Sequence, residues 1–155
     1  MDNLHITYLA DQPEALPPLQ NMFQTEWASY YGPGGPGNAK QDLLAFSSRE
    51  KLPIGFVAFV GSQPCGIIAL KPESITTHSH LGPWVGAGIV LPKYRRHGIG
   101  AKLLLAVEAA ARSLGFKTIY SGTSTANSLL VRGGWQFMEL VRYNGEPISI
   151  YEKAL

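Results

Sequence analysis

Val85-Gly86-Ala87-Gly88-Ile89-Val90-Leu91-Pro92-Lys93-Tyr94-Arg95-Arg96-His97-Gly98-Ile99-Gly100-Ala101 is the stretch from which the fold can be read. Its first seven residues form an apolar run that reads as a buried strand. Arg95 to Ala101 is a basic, glycine-bearing turn, and it opens the strongest helical pattern of the chain, Ile99 to Leu114. Strand, basic glycine turn and helix in that order build an anion site. Glycine lets backbone approach a ligand closely, and the first-turn N–H groups of a helix lack intrahelical partners while the dipole adds positive charge there. Arg95, Arg96 and His97 add donors suited to phosphate oxygens. The expected ligand carries phosphate.

Upstream, Leu4 to Leu9 alternates as a short first strand. Asp11 offers a helix cap, and a helix starting near Pro17 is expected to run through Met22, Phe23, Glu26, Trp27 and Tyr30 until the Gly32–Gly37 loop stops it. Ala39 to Phe46 reads as a short helix. Ile54–Val60 and Cys65–Leu70 flank Gly61-Ser62-Gln63-Pro64 as a hairpin, and Pro72–Gly82 reads as a polar loop carrying His78 and His80. In the long helix Ile99, Leu103, Val107, Ala110 and Leu114 share an apolar face, with Glu108 and Arg112 expected to pair on the solvent side. Downstream, Lys117–Tyr120 is a strand and Ala126–Arg132 a short helix. Trp135–Tyr143 and Ile148–Lys153 form a last hairpin through Asn144-Gly145. The sum is one mixed α/β (α+β) domain over residues 1–155, with about seven strands and about four helices.

Composition narrows the function. The chain has 155 residues, 45% apolar and 15% charged, with a formal net charge of +2, too small to argue for nucleic acid through Arg95, Arg96 and Lys102. Cys65 is the sole cysteine, so no intrachain disulfide or cysteine metal cluster can form, and its apolar strand makes it an inert core thiol. No signal-peptide pattern and no membrane-length apolar run is present, which leads to an expected cytoplasmic location. His78 and His80 lack nearby acidic or thiol ligands, so no metal is expected.

Two familiar phosphate binders fail. A dinucleotide fingerprint needs glycine where Leu103 stands, and a P-loop needs lysine then serine or threonine directly after its last glycine, where Ala101-Lys102-Leu103 is found. Arg95-x-x-Gly98-x-Gly100 instead resembles the acyl-coenzyme-A signature of GNAT-type N-acetyltransferases, and Val90-Leu91-Pro92-Lys93-Tyr94 resembles that family's approach to it. Asn127-Ser128-Leu129-Leu130-Val131-Arg132-Gly133-Gly134-Trp135 is similar to the family's second motif. The resemblance covers Val85 to Phe137 closely and the rest in element order.

The resemblance implies a mostly antiparallel sheet splayed between its fourth and fifth strands, with the pantetheine arm in the gap. The strand Val85–Leu91 supports this independently, because Gly86 and Gly88 leave room on one face. It also implies acetyl transfer from acetyl-CoA directly to a primary amine, with no acyl-enzyme. Cofactor contacts are expected at the backbone of Ile89 and Val90, at Arg95, Arg96, His97, Gly98, Ile99, Gly100, Ala101 and Lys102, and at Asn127, for which helix capping is the plainer alternative. The tyrosine that serves many members as acid falls at Leu130, leaving Tyr120, Tyr143 or water for that role. For the base, Glu26 ranks first by position and His80 second by chemistry. With no extra domain in view, a small amine acceptor is expected, and monomer and homodimer both remain open. The competing reading is a silent acyl-CoA-binding sensor.

Overall fold

The computed structural model describes residues 3–155. Seven strands, β1 (Leu4–Tyr8), β2 (Ile54–Val60), β3 (Gln63–Lys71), β4 (Trp84–Val90), β5 (Thr118–Thr123), β6 (Gln136–Tyr143) and β7 (Glu146–Ala154), form one sheet in the order β1-β2-β3-β4-β5-β7-β6. Every pairing is antiparallel except β4 with β5. Five helices flank it: α1 (Leu16–Glu26), α2 (Ala28–Tyr31), α3 (Ala39–Ala45), α4 (Ile99–Ser113) and α5 (Asn127–Arg132). The mixed, mostly antiparallel architecture is as expected.

Alternation along the central strands separates two cores. Phe56, Ala58, Ile68, Leu70 and Val85 face Ile99, Leu103, Leu104 and Val107 of α4, whereas Val57, Phe59, Ile67, Ala69 and Ile89 face Leu19, Phe23 and Leu43 of α1 and α3. Both faces of β2 and β3 are therefore buried, which is why these strands read as continuous apolar runs. The β6–β7 turn places Asn144 and Gly145 at φ 51° and 80°, as a two-residue hairpin of this type requires.

Three expectations differ from the structure. The helix read from Pro17 to Tyr30 is broken at Trp27 (φ −117°, ψ 52°), and the break lets Trp27 and Tyr31 both pack on Phe23, with ring centroids 5.1 and 5.2 Å away. Glu108 does not pair with Arg112 in solvent. It lies one turn beyond Leu104 on the buried face of α4, where its carboxylate receives Lys153 Nζ at 2.7 Å and Trp135 Nε1 at 3.1 Å. Leu114, expected on that face, ends up exposed just past the helix.

The feature that positions the site is a failed pairing. β4 and β5 pair at Trp84 with Tyr120 and at Val85 with Ser121, and then separate. On its other side β4 is bulged: Ala69 pairs with Gly86 and Ile67 with Ile89, so Ala87 and Gly88 together stand against the single residue Ile68, and Ala87 sits at φ 53°.

Candidate functional site

The separated strands open into a cleft of ≈ 790 Å³, bounded by β4, the turn before α4, the end of β5 and α5. That is a volume suited to a cofactor-sized ligand. One strand edge supplies a directed donor. Leu91 N–H bonds Cys65 O of β3 at 2.8 Å, and strand amides alternate sides, so Ile89 also faces β3 and Val90 N–H faces the gap. Of the two sequence candidates for a backbone contact, Val90 is thus the one the geometry presents to a ligand, although both residues line the cleft.

Gly98, the residue just before α4, sits at φ 78° in the left-handed region, and no side chain caps the helix. The open N-terminal amides of Gly98 to Ala101 line the cleft floor. Arg95 and Arg96 line it too, in different states. Arg95 donates from Nε to Val90 O at 2.8 Å and from Nη2 to Glu26 Oε1 at 2.8 Å, pinning the turn to β4 and to the end of α1. Arg96, at φ 66°, has no hydrogen-bond or ion-pair partner among the described residues. Arg132, at the end of α5, also lines the cleft and likewise has no such partner among the described residues.

The other sequence candidates fall in several places. His97 and Lys102 are exposed beside the turn and outside the cleft lining. Asn127 is also outside that lining, and its Oδ1 accepts a hydrogen bond from Tyr151 Oη at 2.8 Å. Nor does it cap α5: Thr123 Oγ1 accepts from Thr125 N–H and Ala126 N–H, making the turn into that helix. Glu26 lines the cleft but is held by Arg95. His80 is exposed and stacks on His78, whose Nε2 meets Glu139, while Tyr120 packs on Trp84. Neither His80 nor Tyr120 lines the cleft. Leu130 does, buried, with no hydroxyl to offer.

The strand expected at Lys117–Tyr120 runs on to Thr123, and the extension carries Ser121 and Thr123, whose roles appear only with the splay. Ser121 Oγ donates to Val85 O at 3.3 Å where the strands part. Among the described residues no group of three or more His, Cys, Asp or Glu could hold a metal ion, and no helix is long and apolar enough to cross a membrane.

Behind β4, Tyr31 Oη donates to Asp42 Oδ2 at 2.7 Å. Burial first, then this hydrogen bond and the charge of Asp42, raise the phenol above its ordinary value. A raised folded pKa means the contribution to stability is complete below the unfolded value of about 10 and lost as pH rises past it. Denaturant midpoints are therefore expected to fall above about pH 10, and to fall less in Tyr31→Phe. An identical alkaline decline in both proteins would remove Tyr31 as the cause.

A family model described as acetyltransferase (GNAT) family matches residues 19–132. No curated protein sequence matches the chain at a significant level. Among solved structures, an aminoglycoside 6'-N-acetyltransferase complexed with coenzyme A superposes with a TM-score of 0.80 at 17% identity, over 97% of this chain and 96% of the other. The aminoglycoside 6'-N-acetyltransferase from Enterococcus faecium gives 0.78 at 17% identity, over 97% and 96%. A putative acetyltransferase from Salmonella typhimurium with its cofactor acetyl-CoA gives 0.73 at 16% identity, over 99% and 95%. At such identities the likeness is one of fold.

Proposed function

Because the chain belongs to the GNAT acetyltransferase family, we propose that it transfers the acetyl group of acetyl-CoA directly to the primary amine of a small molecule. The observation that carries this reading is the gap between β4 and β5, which runs from the Val90 amide to the uncapped start of α4. The α4 amides and Arg96 receive the pyrophosphate, and Arg95 holds the turn in place. The pantetheine arm lies along the free edge of β4 in place of a strand partner. Val90 N–H donates to the thioester oxygen, stabilising the charge that develops there as the amine attacks. The C–S bond then breaks and the thiolate leaves.

Leu130 offers no proton to that thiolate. A thiol of ordinary pKa, about 8.5, is a fair leaving group unaided, and the open cleft admits water to protonate it. Glu26 serves first as the clamp on Arg95. The proton lost by the attacking nitrogen passes to solvent.

Calorimetry with acetyl-CoA and release of free thiol across a panel of amines, aminoglycosides included, test the reading. Binding and amine-dependent thiol release are the expected results. No binding of acetyl-CoA would overturn the reading altogether, while binding without thiol release from any amine would leave a silent acyl-CoA-binding protein.

A further inference from the structure

Lys71 ends β3 on the face covered by α1 and α3, two residues beyond Ala69 and four beyond Ile67 of that core. Its side chain lies over β4. A Cβ built on Gly86 would come 3.0 Å from Lys71 Cδ and 3.7 Å from Nζ, so the absence of a side chain at 86 is what lets the ammonium rest against this strand. Gly86 itself lines the cleft. Asp42 of α3 and Tyr143 of β6 are the groups that act on Lys71 electrostatically, and Asp42 already accepts the Tyr31 hydroxyl. Among the described residues Lys71 makes no ion pair. Burial pushes its pKa below the ordinary lysine value, the mark of a cation short of solvation that an arriving anion would stabilise.

Lys71 lies outside the cleft lining and borders it across the open position at Gly86; the charges that do line the cleft have the same bias. Among the described residues Glu26 is the only lining carboxylate, closed by Arg95 at 2.8 Å, against Arg95, Arg96 and Arg132. A polycationic amine would find no open carboxylate among the lining residues. We propose that Lys71 binds a carboxylate of the acceptor, which makes the acceptor an amine of the amino-acid class. The proposal rests on the transfer reading above. Distance fits: the four residues from Gly86 to Val90 span roughly 10–13 Å at about 3.3 Å each, less the shortening of the bulge. After the thioester at one end and an ion pair at the other, that span leaves room for a small amino-carboxylate.

The test is steady-state thiol release at saturating acetyl-CoA, with the common α-amino acids, their carboxamides and spermidine as acceptors. At least one free amino acid should be preferred over its carboxamide by about tenfold or more in kcat/KM. Lys71→Met should raise KM for that amino acid by a similar factor with a smaller change in kcat, and Lys71→Arg should restore it. Calorimetry with acetyl-CoA should give one affinity for all three proteins, establishing that the variants fold with the donor site intact. Preference for carboxamides or spermidine, or a KM indifferent to Lys71→Met, overturns the proposal. Thiol release from no amine by the unaltered protein overturns the transfer reading, and this inference with it.

Discussion

Lys153→Met is expected to destabilise the protein by about 2–4 kcal/mol, somewhat under the range of about 3–5 kcal/mol for removing one partner of a fully buried ion pair, because the Lys153 side chain is 23% exposed. The Glu108 side chain is only 4% exposed, and its carboxylate holds Lys153 Nζ at 2.7 Å and Trp135 Nε1 at 3.1 Å. Methionine keeps the volume of the lysine stem but leaves Glu108 buried with the indole as its one partner. It also strips Gly133 O of the second Lys153 hydrogen bond, at 2.7 Å. The pair joins α4 to β7 and to the end of α5, so the loss reaches the wall of the cleft formed by Ser128, Leu129 and Leu130. Urea unfolding followed by circular dichroism measures the effect. The companion variant Glu108→Gln with Lys153→Met removes both charges while keeping an amide oxygen to accept from the Trp135 indole, and it should recover much of the loss, since the penalty of the single variant is chiefly that of an unpaired buried charge. A single variant within about 1 kcal/mol of the parent would mean that water reaches Glu108 and the pair is not a buried one.

That pair also marks the boundary of what one sequence discloses. The Asn144-Gly145 turn, the glycine-bearing strand β4 and the uncapped start of α4 were legible because each is a local conformational requirement. A left-handed backbone or an unfilled strand face is written in the residue that adopts it. Glu108 was misplaced for the opposite reason. Its i,i+4 neighbour Arg112 is visible in the sequence, whereas the partner that draws it inward, Lys153, lies 45 residues away. Glu26 and Arg95 are 69 residues apart, so the clamp between them was equally hidden, and each was given a separate chemical role. Lys71 passed unnoticed because its meaning depends on lying beside Gly86, a relation set by the pairing of β3 with a bulged strand. In each of these cases the residue type could be read and its partner could not.

The largest functional effect is expected from Arg95→Ala combined with Arg96→Ala, which should weaken acetyl-CoA binding about 100-fold or more. The Arg96 guanidinium can donate two charge-assisted hydrogen bonds to phosphate, each contributing about 1.5–3 kcal/mol, so their loss alone reaches that factor, and loss of the Arg95 clamp on the turn adds to it. The structure separates the two contributions. Arg96 has no protein partner among the described residues, so Arg96→Ala should lower affinity alone, and the loss should shrink as added salt screens the parent's phosphate contact. Arg95 bonds Val90 O and Glu26, so Arg95→Ala also releases the end of β4 that carries the Val90 amide. It should therefore lower kcat as well as affinity, because the proposed donor to the thioester oxygen would no longer be held in place. Stability should hardly change: the Arg95–Glu26 pair is exposed, and such pairs contribute about 0–1 kcal/mol. Calorimetry for affinity, and thiol release for kcat, would show the division. Unchanged affinity in the double variant would reduce the turn to a plain strand-to-helix corner. A fall in affinity without loss of kcat in Arg95→Ala would make Arg95 a second phosphate ligand, and Val90 would then need some other support.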